Sequence, residues 1–132
     1  MKTDKEKTDL ELLDEAIKKY ERIKEIFKGA VGKKLHGETA NNSLFQVGNK
    51  YFGIRSNKCG LCQKYIACYK CPIGVRSTYG CGATPWMELS NLLLDNQNTI
   101  LTSQLIRVIT KVVQLEITFL KKVKKGVKKL AQ

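Results

Sequence analysis

No apolar run in the 132-residue chain approaches the roughly 18 residues a membrane-spanning helix needs, so a transmembrane segment is not expected. Histidine is almost missing, with His36 alone. One imidazole, and no Ser-His-Asp or Glu-rich pattern, make a conventional hydrolase unexpected, and the residues nominate no catalytic group or small-molecule substrate. Proline is scarce, Pro72 and Pro85 being the two, so no helical pattern is broken from within. Residues 59–87 and 121–132 contain no acid at all. The N-terminus lacks the apolar core of a signal peptide. Lys alternates there with Asp and Glu, which predicts an intracellular, cytoplasmic chain with reduced thiols.

What is present fits a globular protein. Apolar residues make up 42% and charged residues 27%, and about this length supports one domain. Cysteine is concentrated: Cys59, Cys62, Cys68, Cys71 and Cys81 lie in the pattern C-x2-C-x5-C-x2-C-x9-C. In a reduced compartment two C-x-x-C pairs point to a metal. Two intervening residues let both sulfurs turn toward one ion, about 2.3 Å away for zinc, and two such pairs complete a tetrahedron.

Four of these five cysteines are therefore expected to hold structural zinc. Cys59, Cys62, Cys68 and Cys71 are the compact set, with Cys81 replacing Cys68 if the five-residue gap is too tight. An iron–sulfur cluster is the alternative cofactor, since Pro72 follows the last paired cysteine as in some ferredoxin runs. Disulfides or plain buried thiols are further alternatives, and His36, in a Gly-rich stretch, is not expected to be a ligand. Structural zinc contributes on the order of 10–16 kcal/mol, against a net stability of about 5–15 kcal/mol for a small domain. The segment is thus expected to lose its shape without metal.

Around the cysteines the pattern predicts helices. Thr8 with Glu11 reads as a capping box, and Leu10, Leu13, Ile17, Tyr20, Ile23 and Phe27 recur at helical steps, so residues 8–28 are a predicted helix stopped by Gly29. The Gly- and Asn-rich residues 29–43 read as a loop. Leu44–Val47 and Lys50–Ile54 flank Gly48-Asn49, a two-residue turn of the I′ or II′ kind, and form a predicted β-hairpin. Thr84 caps and Pro85 opens the next helix, with Trp86, Leu89, Leu92 and Leu93 at helical spacing, ending in a polar break from Asp95 to Thr99.

Residues 100 to about 125 form a long amphipathic helix with the stripe Leu101, Leu105, Val108, Ile109, Val112, Phe119, Leu120 and Val123. Glu116 falls within that stripe. A carboxylate there needs an ion pair with a cation of the first helix, a hydrogen bond to Tyr20, or a role as an acid or second metal ligand. The fold expected is α+β, mainly α: a single domain over residues 1–132, in which the N- and C-terminal helices (8–28 and 84–130) pack together around the hairpin and cysteine module of residues 44–83.

The net charge of +12 is unevenly spread. Over residues 1–28 acids and bases cancel, so that face is expected to be merely solvated. The tail carries Lys121, Lys122, Lys124, Lys125, Lys128 and Lys129, with Val123, Val127 and Leu130 opposite and Gly126 weakening the helix. A basic amphipathic helix suits phosphate backbones, anionic membranes or an acidic protein, or simply keeps a chain in solution. Near the cysteines, Tyr51, Phe52, Arg55, Lys58, Lys64, Tyr65, Tyr69, Lys70, Arg76 and Tyr79 interleave cations with aromatics. Such a surface suits single-stranded nucleic acid, and the same aromatics equally suit the covering of a metal.

The run Cys59-Gly-Leu-Cys62, then Cys68-Tyr-Lys-Cys71-Pro72-Ile73, then Gly80-Cys81-Gly-Ala-Thr84-Pro85-Trp86 resembles that of a group of small cysteine-rich proteins encoded by bacteriophages, archaeal viruses and related mobile elements. Ala16-Ile17 with Tyr20-Glu21, and Glu116 with Phe119-Leu120, resemble the flanks of that group. Trp86 stands where Tyr is usual. The resemblance implies a metal-binding module that uses all five cysteines, in a viral or mobile-element setting. Two functions are carried forward: an accessory protein binding nucleic acid, and a protein-interaction factor acting on a host or viral enzyme. A redox protein is a third.

Overall fold

The computed structural model describes residues 8–37, 44–54 and 85–130. They form an α+β fold that is mainly α: helix α1 (Asp9–Lys28), strands β1 (Leu35–Gly37), β2 (Leu44–Val47) and β3 (Lys50–Gly53), then helices α2 (Pro85–Asp95) and α3 (Ser103–Leu130). The cysteines, and with them the expected module, lie outside the described residues.

The start of α1 follows from its cap. Thr8 is extended, and its Oγ1 accepts the Glu11 N–H at 3.1 Å. Asp9 and Glu11 add negative charge at the positive end of the helix dipole. After Gly29 the chain turns away, with the Ala30 N–H donating to the Phe27 carbonyl at 3.2 Å. The buried face is Leu12, Leu13, Ile17, Tyr20, Ile23, Ile26 and Phe27. Leu10 is only half-buried, whereas Leu12 and Ile26 join the core. Two neighbours widen the arc: α3 runs antiparallel along α1, and the sheet meets its C-terminal end.

The sheet is an antiparallel meander in the order β1-β2-β3. Gly48 has φ +61 and Asn49 does not share it, so the β2–β3 turn is type II′, with glycine at the position that needs a left-handed backbone. Phe45 lies opposite Phe52 in register, and their rings stack at 5.8 Å. Phe52 in turn meets the edge of Phe27 at 5.5 Å. Leu35 and Val47 complete the inner face, while His36, Gln46 and Tyr51 form a row across the outer one.

β1 corrects the expectation of a loop over residues 29–43. Its three residues carry no alternation of their own. The pairing comes from β2 on one side and the polar break on the other. Asn98, in a left-handed conformation, donates its N–H to the Leu35 carbonyl at 2.6 Å, and the Leu35 N–H donates to Thr99 at 3.0 Å. Gly32 and Leu101 extend the contact. Sheet edges left open invite pairing with other chains, and here residues 98–101 cover that one.

Pro85 is the first residue of α2, where its missing N–H costs nothing. Leu89 and Leu93 are fully buried. The Thr84 cap and the Trp86 side chain lie outside what is described. Thr102 starts α3 by accepting the Leu105 N–H at 3.1 Å, which leaves Leu101 buried just ahead of the helix. The helix then runs about 42 Å, through Gly126 and into the lysine-rich tail. A glycine inside a helix costs about 1 kcal/mol relative to alanine. Packing of Val123 and Val127 against the core offsets it.

The core face of α3 is rotated from the expected stripe. Ile106, Ile109, Val113, Ile117, Leu120 and Val123 are buried, whereas Leu105, Val112 and Phe119 are half-buried and Val108 is 46% exposed. Glu116, 3% exposed, is the buried charged residue among those described, as its position in the sequence implies.

Candidate nucleic-acid interface

The outward arc of α3 follows from its core face. With 100° per residue, burying Ile109, Val113 and Leu120 turns Arg107, Lys111, Lys121, Lys122, Lys125 and Lys128 outward, and all six are exposed. Glu116 is the one acid in the helix and is buried. The solvent side of α3 therefore shows a single sign of charge over its length. Toward the C-terminus this suits the helix dipole, whose negative end lies there.

Lys124 points elsewhere. It is half-buried, and its Nζ lies 2.6 Å from Asp14 Oδ1 on α1. Nearly three turns along the same seam, Lys24 Nζ donates to Gln114 Oε1 at 2.8 Å. These two contacts set the antiparallel register of the helices. Val123 is buried and Val127 packs on the same core, so these apolar residues of the tail already face protein rather than offering themselves to a membrane surface. No described helix is long and apolar enough to cross a membrane.

Two open grooves follow the α1–α3 seam. One, of about 400 Å³, lies at the tail end and is lined by Lys18, Lys121, Lys124, Lys125 and Lys128 together with Asp14, Ile17 and Glu21. The next, of about 410 Å³, brings Arg22, Lys24 and Lys121 against Glu21 and Glu25 and is nearly balanced. A shallower hollow of about 270 Å³ lies on the outer face of the sheet, where His36, Gln46 and Tyr51 stand side by side. Tyr51 is 56% exposed, an aromatic face open to solvent, and the Arg22 guanidinium donates to its carbonyl at 3.0 Å.

Among the residues nominated from sequence, the tail lysines up to Lys128 are therefore placed on α3, with Lys124 drawn inward. The side chain of Lys129 is outside the described set. So are Arg55, Lys58, Lys64, Tyr65, Tyr69, Lys70 and Arg76, and all five cysteines. Among the described residues no group of three or more His, Cys, Asp or Glu side chains forms a metal site. Lys18 does not stand out in the sequence, because the charges of α1 cancel locally. Its signal is the pairing of two patterns at steps of 0, 3, 4 and 7: Asp14, Ile17, Lys18 and Glu21 on α1, and Lys121, Lys124, Lys125 and Lys128 on α3. Compared with known proteins, the chain matches no family model, no curated protein and no solved structure.

Proposed function

We propose that this chain is a small zinc-binding accessory protein, of the kind encoded by viruses and mobile elements, that binds nucleic acid through the lysine face of α3 and the cysteine-module surface. The observation that carries the nucleic-acid part is the acid-free solvent side of α3. On that side Lys121 and Lys125 stand four apart, and like charges at that spacing repel within a helix by about 0.2–0.5 kcal/mol. A polyanion relieves that repulsion and releases its own counterions on contact.

The test is fluorescence anisotropy with a labelled single-stranded oligonucleotide at low salt. Lys121→Glu, Lys122→Glu, Lys125→Glu and Lys128→Glu combined, which leaves the Lys124–Asp14 pair intact, is expected to abolish binding. The wild-type affinity is expected to fall steeply with salt, with a log–log slope of about −0.7 per phosphate contacted. Equal binding by both proteins, or no salt dependence, defeats the reading.

For zinc, the support is the cysteine spacing together with how the described fold brackets that segment. Ile54 and Leu89, 1% and 0% exposed, anchor both of its ends in one core. A metal bound between two fixed points closes the loop around it, and its binding free energy adds to that of folding. Metal analysis of untagged protein is expected to give one zinc per chain, with loss of thermal stability on chelation. Metal-free protein that keeps its spectrum and melting temperature under chelator overturns this part. Visible absorbance after anaerobic purification would favour the iron–sulfur alternative.

A further inference from the structure

We infer that the tail-end groove between α1 and α3 is a phosphate-backbone subsite in which the Asp14 carboxylate holds the place of an incoming phosphate. The inference rests on the nucleic-acid reading above and narrows it to one concave strip.

The groove brings cations together that neither helix assembles alone. Lys121, Lys124, Lys125 and Lys128 form one wall and Lys18 the other, so five ammonium groups border a space of about 400 Å³. Two carboxylates, Asp14 and Glu21, oppose them. A cleft lined mainly by one sign of charge, with a low-dielectric wall, focuses the field that a convex surface spreads. Ile17, 6% exposed, supplies such a wall from the floor. The neighbouring groove, with Glu21 and Glu25 against three cations, has no comparable excess. Arg107 and Lys111 stand apart from the lysine cluster by about 15 Å or more along the helix and outside either groove.

Asp14 is the built-in competitor. Its Oδ1 takes the Lys124 ammonium at 2.6 Å, yet the two side chains are 45% and 33% exposed, respectively. An ion pair open to water on that scale is weakly held. A phosphate oxygen can therefore exchange with the carboxylate on Lys124, while Lys18, Lys125 and Lys128 meet its remaining charge. Removing the charge of Asp14 strengthens binding of the polyanion rather than weakening the protein.

The experiment compares three variants of the full chain with wild type by anisotropy, using a labelled single-stranded oligonucleotide in dilute NaCl. Asp14→Asn is expected to bind roughly two- to fivefold tighter. The groove pair Lys18→Gln with Lys125→Gln is expected to bind about tenfold more weakly and to flatten the salt slope by about 1.4. The ridge pair Arg107→Gln with Lys111→Gln removes the same charge and is expected to lose clearly less.

Unchanged or weaker binding by Asp14→Asn, or equal losses in the groove and ridge pairs, overturns the subsite while leaving nucleic-acid binding in place. If wild type does not bind the oligonucleotide, the nucleic-acid reading fails, and NMR titration with inorganic pyrophosphate then decides the groove alone. Shift changes centred on Asp14, Lys18 and Lys124–Lys125, larger in Asp14→Asn, retain it as an anion site. Their absence overturns it.

Discussion

α1 and α3 lie against each other and bury matching apolar faces, yet their outer faces obey different rules. α1 interleaves Glu15, Lys18, Glu21, Arg22, Glu25 and Lys28, with local pairs such as Lys28–Glu25 at 3.6 Å. Such exposed pairs add little stability, and they leave no net field. α3 turns six exposed cations outward and keeps its one carboxylate inside. Both solutions satisfy the core equally, so the fold does not explain the difference. A surface that repels itself along a helix costs stability, and α3 bears that cost where α1 does not. The contrast makes the lysine face, not the outer face of α1, the described helix surface with an uncompensated excess of one charge.

The division between the two faces of α3 is the first thing to break. Val108 and Ile109 are neighbours in sequence, yet one is 46% exposed and the other fully buried. Ile109→Asp puts an unpaired charge in the core and is expected to cost about 3–5 kcal/mol, enough to unfold a marginal domain. Val108→Asp is expected to stay within about 0.5 kcal/mol of wild type. Urea unfolding measures both. Equal losses would mean that α3 is seated in a different rotation, and the assignment of its outer face would fall with it.

That rotation is also where the sequence was least legible. Apolar residues fill both the core stripe of α3 (Ile106, Ile109, Val113, Ile117, Leu120) and its flank (Leu105, Val108, Val112, Leu115, Phe119). Periodicity alone admits either centre, and packing against α1 and α2 decides. α1 was easier, because Thr8 and Glu11 mark its start and a single face is apolar. The hairpin was readable from Gly48-Asn49, whose φ values the turn requires. β1 was not readable, since its partners lie in β2 and beyond α2, and three residues such as Leu35, His36 and Gly37 carry no period. Of the candidate site, the lysines were plain in the sequence but the groove was not. Lys18 becomes part of a cationic wall only through the antiparallel register that puts Asp14 beside Lys124.

The smallest effect tests the cost itself. Lys122 is exposed on the outer ridge of α3, is not among the residues lining either groove, and lies eight residues before the helix ends. Its neighbours on the ridge are Lys121 and, one turn on, Lys125. Lys122→Glu turns the i,i+3 repulsion with Lys125 into attraction, in the favoured order of acid before base, and its distance from the C-terminus limits any penalty from the helix dipole. The variant is expected to be more stable than wild type by about 0.2–0.5 kcal/mol at low salt, with the gain shrinking as NaCl rises and screens both states. Paired thermal melts at low and moderate salt resolve this. A variant less stable than wild type would show that Lys122 is held by an attractive contact, and the lysine face would then be part of what folds the protein, as the outer face of α1 is.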